Sequence, residues 1–422
     1  MIVHYSTLIF PCDENSLNMT PMQGVLKGVR VLDMTRILAG PFATMIFGDM
    51  GADVIKIESP QGGDDTRFWG PPFIGTESVY FMSVNRNKRS VAINMKQPQG
   101  LEILHRLVKK SDIFVENFLP GKLDAMGMGY KELKKLNKGL VYCSISGFGP
   151  DGPLADRAGY DVIASSMGGL VNITGPQNGD PCKVGVAVTD ITTGLLAHGA
   201  ILAALRQREL TGVGDKIDCD LLSSQVAMLT HVAANYLNSN IEASRLGTAH
   251  PNIVPYQAFK TKDGLFLTIG GGNNKQFKVL CNVIGCQSLG ENPKFLNNED
   301  RLANREELIA ALSEKLEEKT RVEWLNLLEG SGIPYGPINN MKETFSNPQV
   351  LHNNMIMEME HPGINQTIRV PGTPVKYSNK ESNNNSNPPP MLGQHTREVL
   401  KELADCNDAD IDRLVNEKVV LE

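Results

Sequence analysis

Short apolar runs alternate with amphipathic stretches along the first half of the chain. Val29–Leu32 predicts a buried strand, and the helix after it begins at Gly40-Pro41, because proline is favoured in the first turn of a helix. Asp53–Ile57 predicts a second strand, which completes a strand–helix–strand unit. This unit is the building block of a parallel sheet with helices on both faces.

The same alternation continues to about residue 205. An amphipathic helix is predicted around Leu101–Val108, because its leucines share one helical face. Strands are predicted at 113–115, 140–145 and 184–188, and an apolar helix begins at Ile191. Strands and helices that alternate at this length predict an α/β fold with a doubly wound parallel sheet.

A chain of 422 residues is too long for one compact core, so we expect two domains. The predicted organisation is a disordered lead-in at 1–23, a large domain at 24–225, a linker helix at 226–245, a small α+β domain at 246–340 and a C-terminal part at 341–422. Within the last part, Tyr377–Pro390 is rich in Asn, Ser and Pro and predicts a loop. Two short helices are predicted after it, at Arg397–Ala404 and Ala409–Asn416.

Composition and charge argue against several classes of protein. The net charge of -6 argues against a nucleic-acid surface. The seven cysteines are scattered, so we expect free thiols in a reducing compartment, with neither disulfides nor a metal site. No apolar run reaches the roughly 18 residues that a membrane span needs, so we expect no membrane partner. Residues 1–23 lack Lys and Arg but contain Asp13 and Glu14, which is not typical of a secretory or mitochondrial targeting segment.

Two turns are candidate anion sites. The turn before Gly40-Pro41 lacks the G-x-G-x-x-G pattern of dinucleotide-binding folds, yet the start of a helix attracts phosphate. An ordinary turn is the alternative there. The basic cluster Asn85–Arg89 precedes the predicted strand Ser90–Ile93, where its arginines can grip a carboxylate or form a solvated face.

Asp190 is the most informative single residue. It follows the predicted strand 184–188 and opens the helix that begins at Ile191, so it lies where α/β sheets place ligands. We expect the N–H groups at the helix start to lower its pKa and keep it ionised. The alternative is a purely structural helix cap, a role in which aspartate is common.

At these residues the sequence resembles the class III CoA-transferases, relatives of formyl-CoA transferase and carnitine CoA-transferase. The matching segments are residues 32–44, 51–58, 85–90, 115–118, 158–161 and 189–190. The resemblance covers almost everything after residue 23. Residues 247–264 and 332–341 narrow it to the branch that moves CoA from succinyl-CoA to glutarate or 3-hydroxy-3-methylglutarate.

The resemblance implies an interlocked homodimer. Each subunit would have a Rossmann-like large domain, built from the N-terminal part and the C-terminal tail, with the small α+β domain between. It implies a CoA thioester as substrate, with no cofactor bound permanently. It also implies a mitochondrial location, although residues 1–23 keep the cytoplasm open as an alternative.

Site residues follow from the resemblance by position. Asp190 matches the catalytic aspartate. Positions that match the CoA-binding residues are Leu38, Ala39, Ile93, Asn94, Met95, Lys96, Asn117, Phe118, Leu119, Arg157 and Tyr160. Gly247 and His250 occupy the place of a glycine loop that covers the site.

Three positions depart from the formyl-CoA branch. That branch has glutamine at the position of Leu38 and arginines at the positions of Ser59 and Ala125. The departures argue against formate and oxalate, because such small anions need a polar pocket. Lys122, one helical turn before Ala125, can supply the missing charge.

The second carboxylate of a dicarboxylic acid needs a cation. Arg86 is the first choice because its guanidinium can grip a carboxylate with two hydrogen bonds, and Arg67 is the second. One alternative function is an α-methylacyl-CoA racemase, although racemases use a histidine where this chain has Tyr160. The other is a catalytically silent CoA-binding homodimer.

Overall fold

The computed structural model describes residues 24–378 and 386–422. In chain order its strands are β1 (Arg30–Asp33), β2 (Asp53–Glu58), β3 (Phe73–Ile74), β4 (Glu77–Ser78), β5 (Lys88–Ile93), β6 (Ile113–Glu116), β7 (Val141–Ser146), β8 (Lys216–Asp220), β9 (Tyr256–Lys260), β10 (Phe266–Gly270), β11 (Tyr335–Pro337), β12 (Ile356–His361), β13 (Gln366–Pro371) and β14 (Val420–Leu421). Its α-helices are α1 (Ala39–Asp49), α2 (Val79–Ser83), α3 (Pro98–Lys109), α4 (Tyr130–Leu136), α5 (Asp161–Met167), α6 (Leu170–Ile173), α7 (Val188–Thr211), α8 (Leu221–Met228), α9 (His231–Ser239), α10 (Asn274–Ile284), α11 (Gln287–Glu291), α12 (Asn298–Ala303), α13 (Arg305–Leu316), α14 (Arg321–Leu328), α15 (Met341–Phe345), α16 (Pro348–His352), α17 (Thr396–Leu403) and α18 (Asp408–Asn416).

A seven-stranded sheet forms the centre of the larger part of the chain, in the order β14-β5-β2-β1-β6-β7-β8. Its strands are parallel except β14, which runs antiparallel to β5. The chain runs outward from β1 through β2 to β5, then restarts on the other side of β1 with β6. Because buried parallel strands need apolar side chains on both faces, the short apolar runs of the sequence became the strands at its centre. The predicted α/β fold is confirmed.

Two glycines allow close approaches beside the sheet, one within the turn after β1 and one between two helices. A Cβ on Gly40 would lie 2.4 Å from the Thr35 side chain, so the turn after β1 closes tightly only with glycine there. A Cβ on Gly194 of α7 would lie 2.6 Å from the carbonyl oxygen of Ala39 at the start of α1. The close approach brings the first turn of α7 to the start of α1.

The predicted strand at 184–188 is wrong. The segment before Val188 has no regular structure, and α7 begins at Val188 itself. The segment joins none of the described sheets, in which β8 takes the place beside β7, and Val186 is 60% exposed. Asp190 therefore lies in the first turn of α7 and is not its cap, which is Ala187.

The predicted linker helix at 226–245 is not one continuous helix either. The structure has two helices, α8 and α9, which are separated at Leu229 and Thr230. The break occurs because Thr230 adopts φ 47° and ψ -116°, a conformation outside the helical region.

Residues 254–335 build a second apolar core. The antiparallel sheet β11-β10-β9 packs against helices around the fully buried Trp324. The two predicted C-terminal helices are confirmed as α17 and α18, and their side chains join the core of the large sheet. The domain boundaries stay predictions, while residues 1–23 and part of the predicted loop at 377–390 lie outside the described residues.

Helix α7 is the one described helix whose length and mean hydropathy of 1.4 would suffice to cross a membrane, a criterion that core helices also meet. Within the described residues the cysteines are free thiols and no cluster of three or more metal-ligating side chains occurs.

Candidate active site

A pocket lies at the carboxyl ends of the parallel strands. It opens where the chain direction switches between β1 and β6, the position at which α/β sheets bind ligands. Its walls come from the turn after β1, the segments after β6 and β7, and the first turns of α7 and α8. The lining residues are Arg36, Ile37, Leu38, Ala39, Asn117, Phe118, Leu119, Lys122, Ile145, Ser146, Gly147, Ala158, Gly159, Tyr160, Asp190 and Leu221.

Asp190 contributes a carboxylate to this pocket. Burial raises its pKa to about 7, and the neighbouring charge of Asp161 adds to the shift. The expected lowering of this pKa by helix N–H groups is therefore wrong. The N–H groups of Thr189 and Asp190 are bound by Asp161, whose Oδ2 accepts them at 2.9 and 3.2 Å.

Tyr80 of α2 is a second titratable group near Asp190. Burial raises the pKa of its hydroxyl, and the charges of Asp190 and Asp161 raise it further. Neither Tyr80 nor Asp161 was selected from the sequence as a site residue. The only available signal was that Asp161 directly follows Tyr160 in the matching segment at 158–161.

The turn between β1 and α1 is held in an unusual conformation. Ile37 has φ 73°, which is uncommon for a β-branched residue. Its N–H donates to the carboxylate of Asp64 at 3.1 and 3.2 Å. The fully buried Lys56 donates to Asp64 at 2.9 Å and to the carbonyl oxygen of Thr35 at 2.8 Å. A buried ion pair therefore fixes this wall of the pocket.

Asn117 fixes the same turn from the other side. Its Oδ1 accepts the N–H of Arg36 at 3.0 Å, and its Nδ2 donates to the carbonyl oxygen of Arg36 at 2.7 Å. The Arg36 and Lys122 cations lie 5.9 and 5.4 Å from the centre of the Phe118 ring. Two cations and an aromatic ring thus stand together on the pocket wall, with Arg36 also paired to Asp65 at 2.8 Å.

Eight of the residues expected from the sequence line this pocket: Leu38, Ala39, Asn117, Phe118, Leu119, Lys122, Tyr160 and Asp190. The structure places Ile93 to Lys96 away from its wall, at the end of β5. There Ile93 pairs with Val420, and Asn94 donates its N–H to Val419 at 2.7 Å. Arg157 is exposed and lies just before the wall residue Ala158.

Arg86 and Arg67, the expected partners of a substrate carboxylate, do not line the pocket. Arg86 is 3% exposed and donates to both carboxylate oxygens of Asp49, at 2.9 and 2.6 Å. Arg67 is 7% exposed and donates to both oxygens of Glu58, at 2.8 and 2.7 Å. Both guanidinium groups are bound by carboxylates of the chain itself, and their role toward a substrate carboxylate stays a prediction.

The expected covering loop also stands off the pocket wall. Gly247 donates its N–H to the carbonyl oxygen of Gly175 at 2.9 Å. The His250 ring stacks on Tyr256 with 5.5 Å between ring centres, and its Nδ1 accepts the N–H of Asn252. Gly247 is thus held against Gly175, and His250 is held by its own neighbours in the chain.

The model of CoA-transferase family III matches residues 26–396, and the chain belongs to this family. The chain is 56% identical over 395 residues to the succinyl-CoA:glutarate CoA-transferase of Homo sapiens, covering 94% of this chain and 90% of the relative. It is 41% identical over 390 residues to the succinate–glutarate CoA-transferase of Agrobacterium fabrum, covering 90% and 95%.

Solved structures agree with this assignment. A crystal structure of a CAIB/BAIF family protein from Brucella suis superimposes with a TM-score of 0.80 at 40% identity, over 90% of this chain and 99% of that chain. The chain is therefore an enzyme of the class III CoA-transferase family, and its substrate is a CoA thioester.

Proposed function

We propose that this enzyme moves CoA from succinyl-CoA to a dicarboxylic acid such as glutarate or 3-hydroxy-3-methylglutarate. The observation that carries the proposal is the carboxylate of Asp190 in the pocket at the switch point of the sheet. The names of the relatives, which include succinyl-CoA:glutarate CoA-transferases, favour these acids.

Asp190 acts as the covalent carrier in the proposed reaction. Its carboxylate attacks the thioester carbonyl of succinyl-CoA, which gives a mixed anhydride and CoA thiolate. The thiolate then attacks the aspartyl carbonyl, so that succinate leaves with one oxygen of Asp190 and CoA stays on the enzyme as a thioester. The same steps in reverse, with the acceptor acid, release the new CoA thioester. Covalent catalysis of this kind divides one difficult transfer into two easier ones.

The cations on the pocket wall suit an anionic ligand. Within the described chain these are Arg36 and Lys122, beside the Phe118 ring. Guanidinium and ammonium groups bind phosphate well, and an aromatic face can stack on a base. We assign this part of the pocket to the phosphate and adenine groups of CoA, and the Asp190 end to the thioester.

Two further properties rest on the resemblance. We propose that the enzyme works as a homodimer and that it is mitochondrial, with the cytoplasm as the alternative location. No permanently bound cofactor is needed for the proposed chemistry, because both the nucleophile and the leaving thiolate come from Asp190 and CoA.

A panel of acceptor acids tests the proposed function. The enzyme is incubated with succinyl-CoA and glutarate, 3-hydroxy-3-methylglutarate, oxalate or formate, and new thioesters are quantified. We expect transfer to the larger dicarboxylates, a CoA adduct on the protein by intact mass, and loss of both in Asp190→Asn. Transfer that survives in Asp190→Asn would refute the covalent role.

The same samples separate the two rival functions. A racemase would exchange deuterium from solvent into the α-position of an acyl-CoA, whereas CoA transfer requires no such exchange. A silent CoA-binding protein would retain succinyl-CoA binding but show neither adduct nor transfer.

A further inference from the structure

We propose that Asp161 is a positioning residue whose negative charge favours the transfer of CoA onto Asp190. The proposal depends on the covalent role of Asp190 proposed above and adds a second carboxylate to that site.

The geometry places Asp161 at the start of α7. It is the first residue of α5, and its Oδ2 accepts the N–H groups of Thr189 and Asp190 at 2.9 and 3.2 Å. A single oxygen atom therefore holds two donors of the first turn of α7. This fixes the backbone of Asp190 and sets a second carboxylate beside it.

The charge of Asp161 has an effect that its hydrogen bonds do not have. Two neighbouring carboxylates repel each other, so Asp161 destabilises the ionised form of Asp190 in the free enzyme. The raised pKa of Asp190 has this charge as its second cause, after burial. When Asp190 becomes a thioester its side chain is neutral, and the repulsion ends.

The relief of repulsion favours the covalent enzyme. In the first half-reaction, the Asp190 carboxylate and succinyl-CoA give the aspartyl thioester and succinate. The negative charge of Asp190 leaves the site with the departing succinate. Asp161 raises the free energy of the free enzyme, in which Asp190 is ionised, and not that of the enzyme that carries CoA. It therefore shifts the equilibrium toward the enzyme that carries CoA.

Few other charges compete with this effect. On α2, burial raises the pKa of Tyr80 and the charges of Asp190 and Asp161 raise it further, while α8 carries no titratable side chain. On α1 the titratable residue is Asp49, which is bound to Arg86 at the far end of the helix. The strands β7 and β8 under α7 carry Tyr142, Cys143, Lys216, Asp218, Cys219 and Asp220. The charge that acts on Asp190 is that of Asp161.

Two variants separate charge from hydrogen bonding. Asp161→Asn keeps an acceptor oxygen for both N–H groups but removes the charge, whereas Asp161→Leu removes both. The pH profile of kcat/KM for succinyl-CoA and the ratio of CoA-bearing to free enzyme at fixed succinyl-CoA and succinate are measured for each.

In Asp161→Asn we expect the acidic limb of the profile to move to lower pH by about one unit, the size of effect a nearby like charge can have. Above pH 8 the ratio of CoA-bearing to free enzyme should fall by about tenfold, the factor that corresponds to one pH unit. Asp161→Leu should show the same change in ratio together with a lower kcat, because the first turn of α7 loses its acceptor.

An unchanged limb and an unchanged ratio in Asp161→Asn would overturn the proposal and leave Asp161 as a helix cap. Failure of the underlying covalent mechanism has a different signature: the wild-type enzyme would form no adduct, or Asp190→Asn would still transfer CoA.

Discussion

Asp190 is held at the start of α7 in surroundings that favour its neutral form. Its pKa is raised to about 7 from 3.8, first by burial and then by Asp161. A raised carboxyl pKa means that the folded chain binds more protons than the unfolded chain between these two values. The free energy of unfolding therefore decreases as the pH rises through this window and levels off above it.

Asp190→Asn should consequently stabilise the protein at pH 8 while abolishing transfer. We expect a gain of roughly 2–4 kcal/mol in the free energy of unfolding, since one pKa unit corresponds to 1.36 kcal/mol. The gain should shrink as the pH falls through 7 and vanish near 4, which denaturant titrations at several pH values would show. Asp180→Asn, at an exposed aspartate, is the matched control and should have little effect at any pH. An Asp190→Asn variant less stable than wild type at pH 8 would contradict this.

At the scale of single residues, the sequence predicted which residues line the pocket better than it predicted which side chains pair with each other. Asp190, Asn117 and Tyr160 could be placed in the pocket because they match motif positions of the family. The pairing of Arg86 with Asp49 could not be predicted, because Asp49 lies 37 residues away and is brought to Arg86 only by the fold. Asp161 was missed for a similar reason, since it lies 29 residues before Asp190 and only the fold brings its carboxylate to the start of α7.

At the scale of single elements, the turn between β1 and α1 depends on side chains from outside it. Asn117 holds Arg36 through two hydrogen bonds, and we expect Asn117→Ala to raise the KM for succinyl-CoA by about tenfold. That factor corresponds to the loss of about 1.4 kcal/mol, the scale of one or two hydrogen bonds. Initial-rate kinetics with varied succinyl-CoA would measure it.

Asn298→Ala is the matched control for Asn117→Ala. Asn298 also bridges two backbone groups, accepting the N–H of Val254 at 3.1 Å and donating to the carbonyl oxygen of Asn252 at 2.8 Å, but it lies outside the pocket. It should lower stability by a similar amount and leave KM unchanged. Equal changes of KM in both variants would show that the effect is general loosening.

The backbone conformation of Thr230 interrupts the helical segment between α8 and α9. At φ 47° and ψ -116°, Thr230 occupies a region that glycine adopts without strain. We expect Thr230→Gly to raise the free energy of unfolding by about 1 kcal/mol, measured by denaturant titration. Thr230→Ala keeps the strained backbone and should bring no gain. Equal effects of glycine and alanine would mean that the backbone conformation costs nothing.

The two wrong elements have physical causes that no local pattern shows. Residues 184–188 have the composition of a buried strand, but they join none of the described sheets and leave Val186 60% exposed. The apolar sequence across Thr230 favours one helix, and only the backbone conformation of that residue interrupts it. The strands β1, β2, β6 and β7 were predictable because their apolar runs lie at the centre of a sheet, where both faces are buried.

At the scale of the whole molecule, the C-terminal strand returns to the large sheet. The two-residue strand β14 pairs with β5, and Val420 packs in the same core as residues of β1 and β2. A strand so short carries no periodic signal, and its partner lies more than 300 residues earlier, so this return could be expected only from the family resemblance.

Exposed apolar side chains on four helices support the prediction of a homodimer. Helices α5, α7, α8 and α9 leave large apolar side chains exposed, and α5, α7 and α8 pack against one another. Large exposed apolar patches mark interaction sites. These side chains are Val162, Ile163, Met167, Leu195, Leu196, Val226, Tyr236 and Leu237. Because α5 and α7 also carry Asp161 and Asp190, a partner that covers this surface would support the active site directly.

We expect a native mass about twice the 46.1 kDa of the chain, measured by light scattering after gel filtration. Replacing both Leu195 and Leu196, each 49% exposed, by glutamate should shift the enzyme toward monomer or aggregate and reduce transfer. Leu210→Glu is the control, because Leu210 is 71% exposed in the last turn of the same helix, far from Asp190. It should leave mass and activity unchanged. A fully active monomer, in the wild type or in the double variant, would show that this apolar surface serves another purpose and that Asp190 needs no second subunit.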